Sequence, residues 1–244
     1  MSGSNGTYDR LTLSGSGMLS TSPWDTDFAS SISRVDVSSA DITISGNPFS
    51  KLGSSVVIIV PTPAYAVSYA SAAFASKLRC WFGNKLFSAT NEGGSPAYKI
   101  ATTDDLNNLA EVVNAGNDGN GLTFRQTDDI YFDHKAHNEA GADTENNFTP
   151  IGKYYGSTKI RCFSGIYDGL GHTISGIRIY TGGNTKTDWY QGLFGMTESD
   201  AIIRGITLAD TRITGYDYTG GIVGYNRGTV SDCHVAADVT IHAI

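Results

Sequence analysis

Acidic and basic side chains that could cut a polysaccharide are concentrated in one short segment. Asp128, Asp129 and Asp133 are followed directly by His134 and Lys135. Paired carboxylates act as acid and base on a glycosidic bond, and a neighbouring cation stabilises the charge that develops. All five residues lie within one segment rather than at equivalent places of successive repeats. The pattern therefore predicts a strand and its solvated loop rather than a catalytic centre.

Three further groupings have the residue types of a functional site. Asp168 and His172 lie four residues apart across a glycine turn, where an aspartate commonly binds its own backbone. His134, His137 and Glu139 suggest a metal, but a zinc site needs three or four ligands in fixed geometry. Residues 117–121 offer oxygen atoms without the spacing of a calcium loop. We therefore predict no catalytic residue, no cofactor and no metal.

Aromatic side chains are the more informative candidates. Tyrosine and tryptophan favour recognition of sugars or proteins, because they bring a large contact area and a hydrogen bond at low entropic cost. Most lie at turns or inserts between predicted strands, and residues 180–190 are predicted to protrude. The candidate ligand-binding aromatics are Tyr154, Tyr155, Trp189, Tyr190, Tyr216, Tyr218 and Tyr225. The alternative interpretation is that several of them only cover the corners between strands.

Internal repeats in the second half indicate the fold that carries these side chains. The segment 174–179 is matched 29 residues later by 203–208, and 27 residues after that by 230–235. The glycine-flanked segments 192–195 and 221–224 are also 29 residues apart. Each unit supplies short alternating strands that bury their apolar faces only when units stack. A period in the high twenties predicts a parallel β-helix with one coil per unit.

The first half has a shorter period. Residues 28–37 are loosely repeated by 49–60, with the terminal valines 23 residues apart, which predicts a short solenoid. Residues 65–78, rich in Ala, Ser and Tyr, are predicted to form a terminal helix. Residues 91–96 (Asn-Glu-Gly-Gly-Ser-Pro) have the composition of a linker.

One amphipathic helix is predicted between the two halves, over about residues 103–115. Thr102 or Thr103 can cap it, acidic residues follow in the first turn, and Asn-Ala-Gly ends it at Gly116. Its apolar stripe consists of Leu106, Leu109 and Val113. A helix directly before a β-helix is well placed to cover the open end of the first coil.

Composition limits the partners. Only 17% of the 244 residues are charged, glycine occurs 29 times, and the net charge of −7 opposes binding to nucleic acid or anionic lipid. No run approaches the roughly 20 apolar residues of a membrane span. The first residues contain no signal peptide, and the strand pattern that ends at Ile244 predicts a fragment.

The cysteines are too few, and odd in number, for a disulfide framework. They are Cys80, Cys162 and Cys233. Cys162 follows Arg161 and precedes Phe163, and Cys233 lies in an apolar alternation. We interpret both as small buried hydrophobic residues, and the sequence leaves open whether they are free or paired.

The second half resembles a known motif. Residues 218–233 (Tyr-Thr-Gly-Gly-Ile-Val-Gly-Tyr-Asn-Arg-Gly-Thr-Val-Ser-Asp-Cys) resemble the GLUG motif of bacterial surface and secreted repeat proteins. The stretches 148–152 and 163–177 fit the same arrangement, and residues 100–116 resemble its usual lead-in. The similarity covers roughly residues 99–244. It implies a right-handed parallel β-helix.

The first half resembles the BspA-like leucine-rich repeats of bacterial surface proteins. The resemblance rests on residues 11–17, 32–37 and 60–61, together with Phe49 and the pair Pro23-Trp24. Pro48 replaces the small residue of the family pattern, and few complete units are present, so the region is degenerate. The resemblance implies an exported, surface-anchored protein with adhesive or matrix-binding roles, and it brings no catalytic residues.

Together these features predict a mainly β protein of two domains. Residues 1–95 form a short, degenerate leucine-rich-repeat-like region, and residues 96–244 form a right-handed parallel β-helix preceded by a capping helix. The predicted function is a non-catalytic cell-surface or secreted protein that binds a host extracellular protein or polysaccharide. One alternative is a fragment of a carbohydrate-active enzyme, a polysaccharide lyase or hydrolase, which needs carboxylates converging on one face. The other is a passive stalk, which binds nothing.

Overall fold

The computed structural model of the chain describes residues 10–22, 29–136 and 138–244. These residues are mainly β, with many short parallel strands in several small sheets and few helices. They belong to two compact units that divide between Tyr98 and Lys99. His137 of the metal-like grouping, the Pro23-Trp24 pair and Phe28 of the first repeat lie outside the described residues.

Parallel pairing dominates the first unit. Its strands are β1 (Arg10–Thr12), β2 (Ser16–Leu19), β3 (Arg34–Asp36), β4 (Asp41–Ile44), β5 (Val57–Val60), β6 (Leu78–Phe82), β7 (Lys85–Phe87) and β8 (Ala89–Thr90), and β9 (Ala97–Ile100) crosses the division. One sheet has the order β1-β3-β5-β6-β7, antiparallel only between β6 and β7, and β2 pairs with β4 in parallel. Arg10 is opposite Arg34, and Arg34 is opposite Val57. The predicted period in the low twenties is confirmed for these strands.

The predicted helix over residues 65–78 is wrong in extent. The helix α1 spans only Pro63–Ser68, where the Thr62 side chain accepts from the Tyr65 N–H and proline supplies the first helical turn. Leu78 instead begins β6, because Leu78, Cys80 and Phe82 alternate as the buried face of a strand that pairs with β5. Pairing with a neighbouring strand outweighs the helical composition of the segment.

The segment 91–96, predicted to be a linker, connects two paired strands. Ala89 is opposite Tyr98 and Thr90 is opposite Ala97 in an antiparallel pair. A short 3-10 helix, Glu92–Gly94, lies between them. The glycines therefore form a hairpin connection of the first unit.

The predicted helix of the second unit is present as α2, Thr103–Ala115. Thr102 and Asp105 form a capping box, in which each side chain accepts from the other residue's backbone N–H at 3.1 Å. Gly116 ends the helix in the left-handed region, with a φ of 119°. The apolar stripe of Leu106, Leu109 and Val113 is fully buried. Local capping and apolar periodicity thus determine this element.

Parallel ladders join successive passes of the chain in the second unit. Its further strands are β10 (Thr123–Gln126), β11 (Ile130–Tyr131), β12 (Ile166–Asp168), β13 (Thr173–Ser175), β14 (Arg178–Tyr180), β15 (Phe194–Met196), β16 (Ile202–Arg204), β17 (Thr207–Ala209), β18 (Arg212–Gly215), β19 (Val223–Tyr225), β20 (Thr229–Ser231), β21 (His234–Val235) and β22 (Thr240–Ala243). The ladders are β10-β12-β16-β20, β11-β13-β17-β21, β14-β18-β22 and β15-β19, all parallel.

The strand register confirms some of the predicted repeats and corrects one. Val230 is opposite Ile203 and Val235 is opposite Leu208, each 27 residues apart, as predicted. Ile174, however, is opposite Leu208 and not Ile203, so the 29-residue match between 174–179 and 203–208 is wrong. The reason is the length of the connections, because residues 181–193 separate β14 from β15 whereas only residues 216–222 separate β18 from β19. The coil from Tyr167 to Ile203 therefore takes 36 residues and the next, from Ile203 to Val230, takes 27.

Two glycines with left-handed backbones allow a test of this tight stacking. A Cβ on Gly176 would collide with the Phe132 carbonyl, whereas a Cβ on Gly171 would meet nothing within 4 Å. Their φ angles are 78° and 86°, so the backbone strain of an alanine is matched. We expect Gly176→Ala to lower the free energy of unfolding by about 1–3 kcal/mol more than Gly171→Ala. Urea unfolding followed by circular dichroism measures the difference, and equal midpoints would contradict it.

Candidate functional site

Five of the seven predicted aromatics converge into one cluster. Tyr190 lies at its centre, with ring centroids 4.9 Å from Tyr218, 5.8 Å from Tyr225, 5.9 Å from Tyr154 and 6.0 Å from Trp189. We call these five side chains the aromatic cluster. Tyr218 is 48% exposed and Tyr225 is 37% exposed, and the other three are half-buried. Residues up to 71 positions apart in the sequence thus form one surface.

Tyr190 and Tyr218 occupy equivalent places on two adjacent passes of the chain. The residues that follow them, Gln191 and Thr219, form a parallel bridge, and the two rings stack with an interplanar angle of 7°. Both backbones are left-handed, with φ angles of 63° and 56°, a conformation that bulky residues rarely adopt. Such strain costs about 1–3 kcal/mol per residue and is concentrated at functional sites.

Glycines of the 29-residue repeat support the two tyrosines. A Cβ on Gly195 would lie 2.6 Å from the Tyr190 carbonyl oxygen, and one on Gly224 would lie 2.5 Å from the Tyr218 carbonyl oxygen. Only glycine permits this approach of strand and turn. The repeated glycines, found in the sequence as structural markers, therefore position the ligand candidates.

A polar cleft adjoins the aromatic cluster. Its volume is about 490 Å³, and Tyr190 and Tyr225 lie on its wall. Its charged residues are Asp118, Arg161, Glu198 and Arg227, and the remaining lining is Val113, Gly116, Ile160, Cys162 and Met196. Arg227 Nη1 is 2.8 Å from Glu198 Oε2. Rings beside convergent polar groups are typical of ligand-binding clefts.

Sequence reasoning did not select the charged residues of this cleft. Arg227 lies two residues after the candidate Tyr225, and this proximity in sequence could have pointed to it. Arg161 and Glu198 have no such signal, because loops that are distant in sequence bring them to the cleft.

Two buried donors beside the aromatic cluster lack a hydrogen-bond partner among the described residues. They are the indole Nε1 of Trp189 and the Nε of Arg161. A buried polar group without a partner costs about 1–3 kcal/mol, so native proteins contain few of them. Together with the strained tyrosine backbones, these donors indicate that this surface is not optimised for stability.

The cysteines are free thiols among the described residues. Cys80 is fully buried, but Cys162 and Cys233 are half-buried rather than buried as predicted, because Cys162 faces the cleft and Cys233 lies beside the little-covered strands β20 and β21. Burial, followed by a hydrogen bond to Glu198, raises the pKa of Cys162 to about 12. This thiol therefore stays protonated near neutral pH and is a poor nucleophile.

Tyr155 and Tyr216 lie outside the aromatic cluster. Tyr155 is 42% exposed, and its ring lies 4.9 Å from Lys159 Nζ and 5.8 Å from Lys153 Nζ. Tyr216 is half-buried and lines a separate shallow depression with Gly182, Gly183, Asn184 and Ile244. In the segment 180–190, predicted to protrude, residues 182 and 184–187 are exposed, whereas Trp189 and Tyr190 at its end are half-buried.

Asp128 and Asp129, two of the three neighbouring carboxylates considered for catalysis, each lie beside a basic side chain, whereas Asp133 has no such partner among the described residues. Asp128 is 3.6 Å from Lys99 Nζ, and Asp129 is 3.4 Å from His172 Nδ1. His172 thus pairs with Asp129 and not with Asp168, which accepts instead from the Leu170 N–H as expected of a turn aspartate. These contacts hold neighbouring strands together.

His134 likewise belongs to a network within the second unit. Its Nε2 is 2.7 Å from Asp210 Oδ2, and Asp210 Oδ1 is 3.0 Å from Arg178 Nη2. Burial alone would raise the pKa of Asp210, but hydrogen bonds from Arg178 and His134 outweigh it and lower that pKa. Within the described ranges, no group of three histidine, cysteine, aspartate or glutamate side chains is arranged to hold a metal.

Comparison with known proteins finds one partial likeness. A stretch of 93 residues, 38% of this chain, is 37% identical to halomucin of Haloquadratum walsbyi (strain DSM 16790 / HBSQ001). The matched stretch makes up 1% of the length of halomucin. No protein-family description matches the chain, and no solved structure matches it. The helices of the described residues are too short and too polar to cross a membrane.

Asp168 provides a test of the structural role of these carboxylates. Burial alone would raise its pKa, but the hydrogen bonds from Arg204 and the Leu170 N–H, with the charges of Arg204 and Arg125, lower the pKa below 3.8. Because the pKa of Asp168 is lower in the folded protein than in the unfolded chain, its carboxylate stabilises the fold fully above the unfolded pKa. This stabilisation is lost as the pH falls through the folded pKa. We expect Asp168→Asn to cost about 1–2 kcal/mol at neutral pH, since Arg204 is partly exposed.

The measurement is urea unfolding of wild type and Asp168→Asn between neutral pH and pH values below 3.8. The difference in the free energy of unfolding between wild type and Asp168→Asn should become smaller in acid. Asp200→Asn is the control, because Asp200 is exposed and contacts only Ser199. A constant difference across the range would show that the ion pairs do not cause the loss.

Proposed function

We propose that the second unit is a right-handed parallel β-helix with α2 covering its first coil. Three observations support the proposal: the ladders are parallel, they link successive passes of the chain in the same order, and their inward residues are buried. The GLUG-like residues 218–233 supply the strands β19 and β20 and the turns around them. We further propose that the first unit is a short leucine-rich-repeat-like region, as its period in the low twenties suggests.

We propose that the chain is a non-catalytic binding module of a secreted or cell-surface protein, and that it binds polysaccharide through the aromatic cluster. The observation that carries this proposal is the convergence of five aromatic rings around Tyr190, beside a polar cleft. The partial likeness to halomucin supports an extracellular location.

The chemistry of the aromatic cluster suits sugars. Aromatic faces pack against the apolar C–H faces of a sugar ring, while hydroxyl and charged groups at the edge bind its oxygens. Tyr218 and Tyr225 expose ring surface, and Arg227 and Glu198 line the adjoining cleft. The rings are held by each other and by the strands beneath them, so little side-chain entropy is lost on binding.

A non-catalytic role fits the placement of the acidic groups. Asp128, Asp129 and Asp168 lie in ion pairs with Lys99, His172, Arg125 and Arg204, away from the residues that line the cleft. These contacts give the three carboxylates a structural role. Asp118 and Glu198 line the cleft, and Glu198 is paired there with Arg227. An enzyme fragment and a passive stalk are the outcomes that the experiment must separate from binding.

The experiment incubates the full chain with polysaccharides, mucin and matrix proteins and measures bound protein and released sugar ends together. We expect polysaccharide binding without release. Tyr190→Ala and Tyr218→Ala should each weaken it about tenfold or more, as expected for aromatic hot spots. Tyr131→Ala is the control, because Tyr131 is 58% exposed in the same unit but outside the aromatic cluster.

Three results would contradict the proposal. Released sugar ends would show an enzyme and return attention to Asp128, Asp129 and Asp133. The absence of both bound protein and released sugar ends would support a passive stalk. Equal loss of binding in Tyr131→Ala would show that the aromatic cluster is not the site.

A further inference from the structure

Basic side chains of the second unit fall into two groups. In the first group, each cation has a carboxylate partner that ties parts of the fold together. The pairs are Lys99 with Asp128, Arg125 and Arg204 with Asp168, Arg178 with Asp210, and Arg212 with Asp143. These cations have a structural role and are not available to a ligand.

The second group surrounds the aromatic cluster. Lys153, Lys159, Arg161 and Lys186 have no carboxylate within 4.0 Å among the residues that the structure describes. Lys186 Nζ lies 5.6 Å from the centre of the Trp189 ring. The Lys135 side chain also has no carboxylate within 4.0 Å among the described residues but lies in another loop, and Arg227 on the wall of the cleft is paired with Glu198. Four of the unpaired cations of this unit therefore lie near the surface proposed to bind a ligand.

Three of these cations are carried by one small hairpin. The Tyr155 N–H donates to the Lys159 carbonyl at 3.0 Å, and the Arg161 N–H donates to the Lys153 carbonyl at 2.9 Å. Tyr154 of the same hairpin contacts Tyr190, and Arg161 lines the cleft with Tyr190. The hairpin thus carries Arg161 on the wall of the cleft and places Lys153 and Lys159 over Tyr155, the residue after Tyr154 of the aromatic cluster.

These cations contrast with the overall charge. The chain has 24 acidic and 17 basic residues, and its net charge is −7. Unpaired cations on an acidic protein concentrate positive potential locally and attract an anionic partner. Aromatic faces alone are indifferent to the charge of a sugar, so it is these cations that specify the ligand class.

We infer that the ligand is an acidic polysaccharide, whose carboxylate or sulfate groups contact Lys153, Lys159, Arg161 and Lys186 while its sugar rings pack on the aromatic cluster. This inference rests on the proposed function and names its substrate class. Arginine binds such anions through a planar fork and lysine through a mobile point charge. Single-stranded nucleic acid also combines anionic groups with stacking bases, but the net charge of −7 opposes it.

The test compares charged and uncharged polysaccharides of the same backbone. Polygalacturonate is paired with its fully methyl-esterified form, and dextran sulfate with dextran, so that carboxylate and sulfate are separated. We expect at least about tenfold tighter binding to a charged member at low salt, and a smaller difference at high salt, because ions screen exposed charges. Full-length protein is used throughout, in a pull-down or by calorimetry.

Matched charge variants identify the cations responsible. Lys159→Gln with Lys186→Gln should weaken binding to the acidic polysaccharide about tenfold and leave the uncharged member unchanged. The control, Lys99→Gln with Lys135→Gln, removes the same charge from the second unit at residues that do not line the cleft. It should change binding to neither polysaccharide. Circular dichroism verifies that both double variants are folded.

The outcomes distinguish this inference from the proposed function. Equal binding of charged and uncharged polysaccharides, abolished by Tyr190→Ala, would overturn the inference and leave the proposed function standing. Absence of any polysaccharide binding would overturn both. A single-stranded oligonucleotide that binds more tightly than either acidic polysaccharide, through the same lysines, would replace the inferred ligand class.

Discussion

The in-register stacking of parallel strands is the constraint on which the second unit depends. Tyr167 packs against Ile203, Ile174 against Leu208, and Ile179 against Ile213, and all six residues are buried. A slip of one residue would turn each buried side chain to the opposite face. The same register places Tyr190 against Tyr218, so the aromatic cluster is a consequence of the stacking that buries the core.

The charges of the second unit serve this stacking as well. Arg125, Asp168 and Arg204 are opposite one another on three consecutive strands, so opposite charges alternate along one ladder. Arg178 is buried, and its guanidinium reaches the carboxylate and the carbonyl of Asp210. A buried charge is tolerated only with such partners. Side chains that have the residue types of catalytic groups are thereby used in structure.

Unlike these ion pairs, the aromatic cluster contains features that cost stability. The strained backbones of Tyr190 and Tyr218, together with the partnerless donors of Trp189 and Arg161, lower stability locally. The left-handed backbone recurs at Leu170, Asp210 and Asp232 in other turns of this unit. The partnerless donors beside the exposed rings are therefore the stronger reason to look here for a function.

Local sequence signals determined α2, the 27-residue spacing of Ile203 and Val230, and the identity of the aromatic candidates. Each depends on residues within one turn or one strand, where capping, alternation and glycine act directly. Only the tertiary structure decided that Ile174 faces Leu208, that His172 meets Asp129, and that Tyr154 joins Tyr190. These contacts depend on the lengths of the intervening turns, which set the register between distant segments and leave no periodic trace in the sequence.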